Sequence, residues 1–229
     1  MTGKKKIAVV LSGCGVYDGA EIQESVFTLW AIANAGFDYE IFAPDINQYH
    51  VVNHLTGKET TETRNVLCEA ARIARGKIKP ATALRSADFE AVIFPGGFGV
   101  AKNLCSYALD GVECKVNPVI EKIIHTFHAK EKPIGALCIA PVLIARVLNN
   151  LKITIGNDPD TILAIEEMGS KHIKSTHGQV IIDHRHKIAS TPCYMLDANI
   201  LEVAQGATNI VNAVVKLIRE SGGEEQPIA

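Results

Sequence analysis

Short apolar runs alternate along the chain with longer stretches whose hydrophobic residues recur at helical spacing. Ile7 to Leu11 reads as a first strand, and Ser12 to Gly19 as a glycine-rich loop. A helix follows from Ala20 to Ala35, with Val26, Leu29, Trp30 and Ala33 as its expected buried stripe and Gly36 as its stop. Asp18-Gly19-Ala20-Glu21 fits a capping box, with Asp18 as N-cap and Glu21 at N3. Tyr39 to Ala43 forms a second strand, Val51 to Lys58 a hairpin, and Thr61 to Arg75 a second helix stopped by Gly76. Phe89 to Phe94 is the next strand, running straight into Pro95-Gly96-Gly97-Phe98-Gly99. Asn117 to Lys130 is helical and feeds the apolar run Pro133 to Leu137. From Ile139 the spacing turns helical again, through Ala140, Leu143, Ile144, Val147 and Leu148.

Beyond that point come a strand at Lys152 to Ile155, a short helix at Thr161 to Met168, and a hairpin of Val180–Asp183 and Lys187–Ser190. Asp197 to Glu220 is a long amphipathic helix, and a frayed tail is expected from Gly222 onward. Strands alternating with helices imply an α/β architecture, a mostly parallel sheet covered on both faces. With no repeat, low-complexity tract or linker, residues 1–229 read as a single domain.

The net charge of -2 argues against nucleic acid or an anionic membrane surface as partner. No apolar run approaches the roughly 20 residues that span a bilayer. The basic start, Lys4-Lys5-Lys6, leads into a strand and lacks the pattern of a secretory signal. Six scattered cysteines without a C-x-x-C pair fit reduced thiols and a cytosolic protein.

Candidate chemistry centres on Cys138, where a strand ends and a helix begins. A helix N-terminus offers unpaired N–H groups and partial positive charge, which favour a thiolate and an oxyanion. The competing reading is a buried, inert cysteine. Ligand sites of open α/β sheets lie at the carboxyl ends of the strands. There the N–H groups of Gly96, Gly97 and Ile139 would form an oxyanion hole, unless Gly96-Gly97 is only a tight turn. Glu21 and Glu24 share one side of the first helix. Glu21 has a capping role, so Glu24 is the stronger candidate for moving a proton at the thiol, although a solvated surface glutamate is the usual alternative.

No histidine completes a triad, and His184-x-His186 sits at an expected hairpin tip. No His, Cys and carboxylate spacing argues for zinc, so neither metal nor cofactor is expected. The loop Gly13-Cys14-Gly15-Val16-Tyr17-Asp18-Gly19 sits where a dinucleotide fingerprint would, but its spacing is one residue too long.

Gly135-Ala136-Leu137-Cys138-Ile139-Ala140-Pro141 resembles the nucleophile elbow of the class I glutamine amidotransferase-like, PfpI-type superfamily. Phe94-Pro95-Gly96-Gly97, Ala101-Lys102-Asn103-Leu104 and Gly19-Ala20-Glu21-Ile22-Gln23-Glu24-Ser25 match its other landmarks in order. Three further stretches, Ser12 to Gly19, Thr154 to Asp158 and Thr191 to Leu196, are similar to the ElbB-type, isoprenoid-biosynthesis-associated, amidotransferase-like glyoxalases.

The resemblance implies a flavodoxin-like three-layer sandwich, a homodimer, Cys138 as nucleophile and Glu24 as its hydrogen-bonded acid. Many superfamily members carry a histidine after the strand that follows the elbow helix. Ile153 to Asp158 has none, which argues against amidotransferase or protease activity and leaves Asp158 or Asp160 as substitutes. The implied activity is a cofactor-free, glutathione-independent conversion of a small dicarbonyl, glyoxal, to glycolate. The alternative is a non-enzymatic protein that senses oxidants through Cys138.

Overall fold

The apolar runs pair into one sheet, and the amphipathic stretches close over both of its faces. The computed structural model describes residues 4–222. In chain order its elements are β1 (Lys6–Val10), α1 (Ile22–Asn34), β2 (Asp38–Ala43), β3 (Val51–Asn53), β4 (Lys58–Thr60), α2 (Val66–Ile73), β5 (Ile78–Pro80), β6 (Ala91–Phe94) and α3 (Tyr107–Asp110). Then follow α4 (Pro118–Ala129), β7 (Ile134–Leu137), α5 (Ala140–Val147), β8 (Lys152–Ile153), α6 (Pro159–Glu167), β9 (Lys171–His172), β10 (Ile181–Asp183), β11 (Ile188–Thr191) and α7 (Ile200–Gly222). A π-helical turn, Val100–Leu104, follows the glycine loop.

The main sheet has seven strands in the order β10-β11-β7-β6-β1-β2-β5. Its pairings are parallel except between β10 and β11. Alternation along the strands divides the core. Ala8, Val10, Val92 and Phe94 face a layer that includes Ile120, Ile124 and Phe127 of α4 and Leu143 and Ile144 of α5. Ile7, Val9, Leu11 and Ile93 face α1, α2 and α7 through residues such as Ile32, Val66, Ile210 and Val214. The result is a flavodoxin-like three-layer α/β sandwich. Strand β1 pairs with β2 on one side and β6 on the other, so the strand order reverses there and opens a crevice at the carboxyl ends.

Several sequence expectations shift. Asp18 does not cap α1: its carboxylate accepts the Val52 N–H at 2.7 Å, while Gly15 and Gly19 N–H bond within the loop. The helix begins later, with Glu21 as N-cap and its Oε2 accepting the Glu24 N–H at 2.6 Å. The stripe rotates accordingly. Glu24, Ser25, Thr28, Leu29, Ala31 and Ile32 face inward, whereas Val26 and Trp30 are exposed, at 46% and 56%, as is Ala33. Small residues on the inner face let α1 lie against α7, and the bulky ones are left outside.

Helix α2 starts at Val66 rather than Thr61, because the Asn65 side chain caps it by accepting the Cys68 N–H. Strand β5 and the π-helical turn lack the periodicity that would announce them. The expected tail beyond Gly222 lies outside the described residues. Among those residues no helix is long and apolar enough to cross a membrane.

The start of α1 therefore depends on one unusual cap. Glu21→Ala should lower the unfolding free energy by about 0.5–2 kcal/mol. Trp30→Gln, at a position exposed in the single chain, should stay within about 0.5 kcal/mol of wild type when measured on the monomer. Urea denaturation checks both, and a reversed order would mean that Trp30 belongs to the core after all.

Candidate active site

Four segments meet at the carboxyl ends of β1, β6, β7 and β11. The first loop and the glycine loop are held together by backbone hydrogen bonds: Glu21 N–H to Gly96 O at 2.9 Å, Phe98 N–H to Val16 O at 2.8 Å and Gly99 N–H to Gly19 O at 2.8 Å. Gly97 takes φ +100°, and a Cβ there would lie 2.4 Å from both Glu21 N and Gly19 O. Only glycine allows that approach.

Cys138 stands on the turn between β7 and α5 with φ +59°, a left-handed conformation that costs a non-glycine residue about 1–3 kcal/mol. Its own N–H donates to Thr191 O at 2.9 Å, carrying the β7–β11 pairing one residue into the turn. This anchor and the packed α5 hold the strained residue in place. The thiol is buried, at 7% exposure, and shares a hydrogen bond with the Glu24 carboxyl.

Glu24 is completely buried. Its Oε2 accepts the Gly96 N–H at 2.9 Å, and its Oε1 accepts the Tyr194 N–H at 3.2 Å. The Tyr194 hydroxyl in turn donates to Gln23. No cation neutralises the carboxyl among these contacts, and burial followed by the Glu21 charge pushes it up to about 8, against the pull of those hydrogen bonds. Burial also raises Glu21.

The thiol is pushed well up as well, first by burial and then by Glu24. The N–H groups of Gly97 and Ile139 reach the sulfur and oppose the rise. This corrects the expectation that the helix N-terminus favours a thiolate: it is outweighed by burial beside an acid. The Cys138–Glu24 pair therefore holds its protons near neutral pH.

Cys138, Glu24, Glu21, Gly96, Gly97 and Ile139 thus come together. Their division of labour differs from the expected oxyanion hole, because the Gly96 N–H is taken by Glu24 while those of Gly97 and Ile139 face the sulfur. A Cβ on Gly96 would fall 2.4 Å from Cys138 Cβ and 2.6 Å from Glu24 Oε2. Asp158 has another task, capping α6 by accepting the Thr161 N–H at 2.9 Å. His184 pairs with Glu220 at the exposed hairpin tip.

Three contributors escaped sequence reasoning. Tyr194 acts through its backbone N–H, which carries no residue signature. Asn103 donates to Ser12 O and Asp18 O, both at 2.9 Å, and accepts from Tyr49 N–H. His54, on the β3–β4 hairpin, accepts the Tyr17 N–H at 3.2 Å and closes that hairpin over the first loop. The stretches holding Asn103 and Tyr194 stood out only as family landmarks.

The chain is 42% identical over 222 residues to the human glutamine amidotransferase-like class 1 domain-containing protein 3, mitochondrial, covering 93% of this chain and 83% of that protein. It is 41% identical over 224 residues to the rat ES1 protein homolog, mitochondrial, covering 93% and 84% respectively. The crystal structure of an isoprenoid biosynthesis protein with amidotransferase-like domain from Ehrlichia chaffeensis superposes with a TM-score of 0.86 at 32% identity, covering 92% of this chain and 99% of that one. Drosophila melanogaster DJ-1beta shares the fold alone, with a TM-score of 0.56 at 14% identity over 98% of this chain and 100% of that one. No family model matches the chain. The human and rat relatives and a zebrafish ES1 protein are all mitochondrial by name, which overturns the cytosolic expectation. Unpaired cysteines do not distinguish one reducing compartment from another.

The buried carboxyl makes stability depend on pH. Glu24 ionises near 4.5 when unfolded and near 8 when folded, so the folded state holds the extra proton between these values. Stability should be highest below about pH 4.5 as far as this group is concerned, and fall by on the order of 5 kcal/mol as pH rises through about 8. Denaturant midpoints across that range should show the slope in wild type and a flatter one in Glu24→Gln. Equal slopes would mean that Glu24 is ionised in the folded protein.

Proposed function

This chain belongs to the glutamine amidotransferase-like class 1 domain family that includes the ES1 proteins and the ElbB-type isoprenoid biosynthesis protein, and from that premise we propose that it is a cofactor-free glyoxalase converting glyoxal to glycolate. The observation that carries the reading is the buried Cys138–Glu24 hydrogen bond beside two backbone donors. Family membership supports the scaffold, whereas the activity rests on the site.

Loss of one proton from the pair leaves a nucleophile and an acid in contact. The Cys138 sulfur adds to one aldehyde carbon, and the carbonyl oxygen takes up the proton to give a hemithioacetal. The Gly97 and Ile139 N–H groups, released when the sulfur becomes a neutral thioether, face the oxygen forming on the adjacent carbon. Glu24 removes the proton from the hemithioacetal carbon and returns one to the neighbouring carbon, passing through an enediol to a glycolyl thioester. Water then adds, the carbon–sulfur bond breaks, and glycolate leaves with the thiol restored. Each step needs a thiol, one shuttling carboxyl and backbone donors, so a histidine is dispensable.

The same environment weakens the alternative of oxidant sensing at Cys138. Burial and a neighbouring acid keep that thiol protonated, and the protonated form reacts slowly with peroxide. The homodimer that the superfamily resemblance implies remains part of the proposal. The exposed Ile22, Val26 and Trp30 on α1 are the surface a second copy would cover, and sedimentation velocity would show a monomer if that is wrong.

Purified protein should form glycolate from glyoxal, and Cys138→Ala should not; equal rates in both would sink the assignment. The rate at limiting substrate should climb as pH rises through about 8, where the pair gives up its first proton. Glu24→Gln should lose about 10²–10⁴-fold in turnover. That variant is not silent structurally, because either amide orientation turns its NH₂ toward the Gly96 or the Tyr194 N–H, at a cost of about 1–3 kcal/mol. Glycolate formation is therefore compared at equal folded fraction, and an unchanged rate would remove Glu24 from the mechanism.

A further inference from the structure

A second pair of thiols lies away from the Cys138 site. The π-helical turn Val100–Leu104 ends at Cys105, and the chain folds back so that Cys105 bridges antiparallel to Val116, with the Ser106 N–H donating to Lys115 O at 3.0 Å. On this bridge Cys105 and Cys114 fall on the same side, and their thiols are hydrogen-bonded to each other. The Cys105 thiol also donates to Val100 O at 3.4 Å, so its one proton is shared between that carbonyl and Cys114.

Both cysteines are buried at the edge of the core, beside a short connecting segment. The intervening segment consists of α3 and the turn Gly111–Glu113, and neither contributes a buried residue. Ser106 Oγ donates to Asp110 Oδ2 at 2.6 Å and accepts the Lys115 N–H at 2.9 Å, and Tyr107 reaches Thr161 of α6. Tyr107 and Val112 pack against the core only in part, and a segment without a fully buried residue opens at smaller cost than the core beneath it, which admits a small oxidant.

The two thiols are also electrically unequal. Arg146 of α5 donates its Nε–H to Cys114 O at 2.7 Å and sets its guanidinium beside the Cys114 sulfur. The hydrogen bond from Cys105 and, next, the Arg146 charge hold Cys114 below the usual thiol range despite burial. The same hydrogen bond, together with burial, pushes Cys105 up. Cys138 has the opposite setting, an acid in place of a cation.

We propose that Cys105 and Cys114 form a peroxide-responsive dithiol, with Cys114 as the attacked thiol and Cys105 as the resolving thiol, which closes a disulfide across residues 106–113. The Cys114 thiolate attacks one oxygen of hydrogen peroxide, the O–O bond breaks, and the departing hydroxide takes up the proton that Cys114 lost and leaves as water. The Cys105 sulfur then attacks the Cys114 sulfenic acid, the S–O bond breaks, and a second water leaves with the Cys105 proton. Two thiols lose two electrons, and one peroxide becomes two waters. The bridge would act next to Asn103, whose side chain ties the first loop to Tyr49, so the redox state bears on loops that frame the candidate site.

The test uses the full chain treated with hydrogen peroxide, quenched by alkylation and digested with trypsin. Both cysteines fall in the fragment Asn103 to Lys115, so a bridge makes that fragment lighter by two hydrogen atoms and leaves it without alkylated thiols until dithiothreitol is added. The expected result is this change at doses that leave exposed Cys68 and buried Cys138 unoxidised. In Arg146→Gln, bridge formation should slow by about ten-fold or more. Oxygen adducts on Cys68 or Cys138 while both thiols of the fragment remain alkylated would overturn the proposal. An unchanged rate in Arg146→Gln would overturn the choice of Cys114 as the attacked thiol. The wild-type digest decides the pair by itself even if the variant fails to fold.

Discussion

One buried carboxyl governs the architecture around the crevice. Glu24 has no exposure and, among the described residues, no cation beside it, so its burial is tolerable only with hydrogen-bond donors placed on both oxygens and a proton available nearby. Each local oddity serves that requirement. Glu21 caps α1 so that the helix begins where Glu24 points inward. Gly96 lacks a Cβ because the space is filled by Cys138 and Glu24. Cys138 accepts a left-handed backbone because Thr191 O and α5 hold it there.

The same interaction sets the character of the thiol. A cysteine at a helix N-terminus usually becomes more acidic. Here burial and, after it, the neighbouring acid reverse the sign, and the two groups behave as one proton-holding unit. Cys114 has the complementary arrangement, a guanidinium and a second thiol beside a short connecting segment. The nearest charged neighbour thus acts on the two thiols in opposite directions, Glu24 raising Cys138 and Arg146 lowering Cys114.

The relatives divide into two kinds. DJ-1beta shares the sandwich at 14% identity, which a flavodoxin-like sheet with many possible sites permits. The human, rat and Ehrlichia proteins match at 32–42% identity over nearly the whole chain, so they share more than the layer order. What a given member does with the elbow still depends on the groups around the sulfur.

The sequence alone determined the layer architecture and the place of the elbow and the glycine loop; that Cys138 would face the helix carrying Glu21 and Glu24 was implied only by the family resemblance. The architecture and the elbow follow from local patterns: apolar runs make buried parallel strands, and a cysteine between such a run and a helix lies at the sheet's carboxyl edge. It misjudged the start and the buried face of α1, because Asp18 was as good a local cap as Glu21. Only the β3–β4 hairpin, by taking Asp18 for the Val52 N–H, decided between them. The protonation of Cys138, the diversion of the Gly96 N–H to Glu24 and the contact of Cys105 with Cys114 were likewise settled only in three dimensions. Each depends on distance and desolvation between residues far apart or unpatterned in the chain, and no local periodicity carries that information.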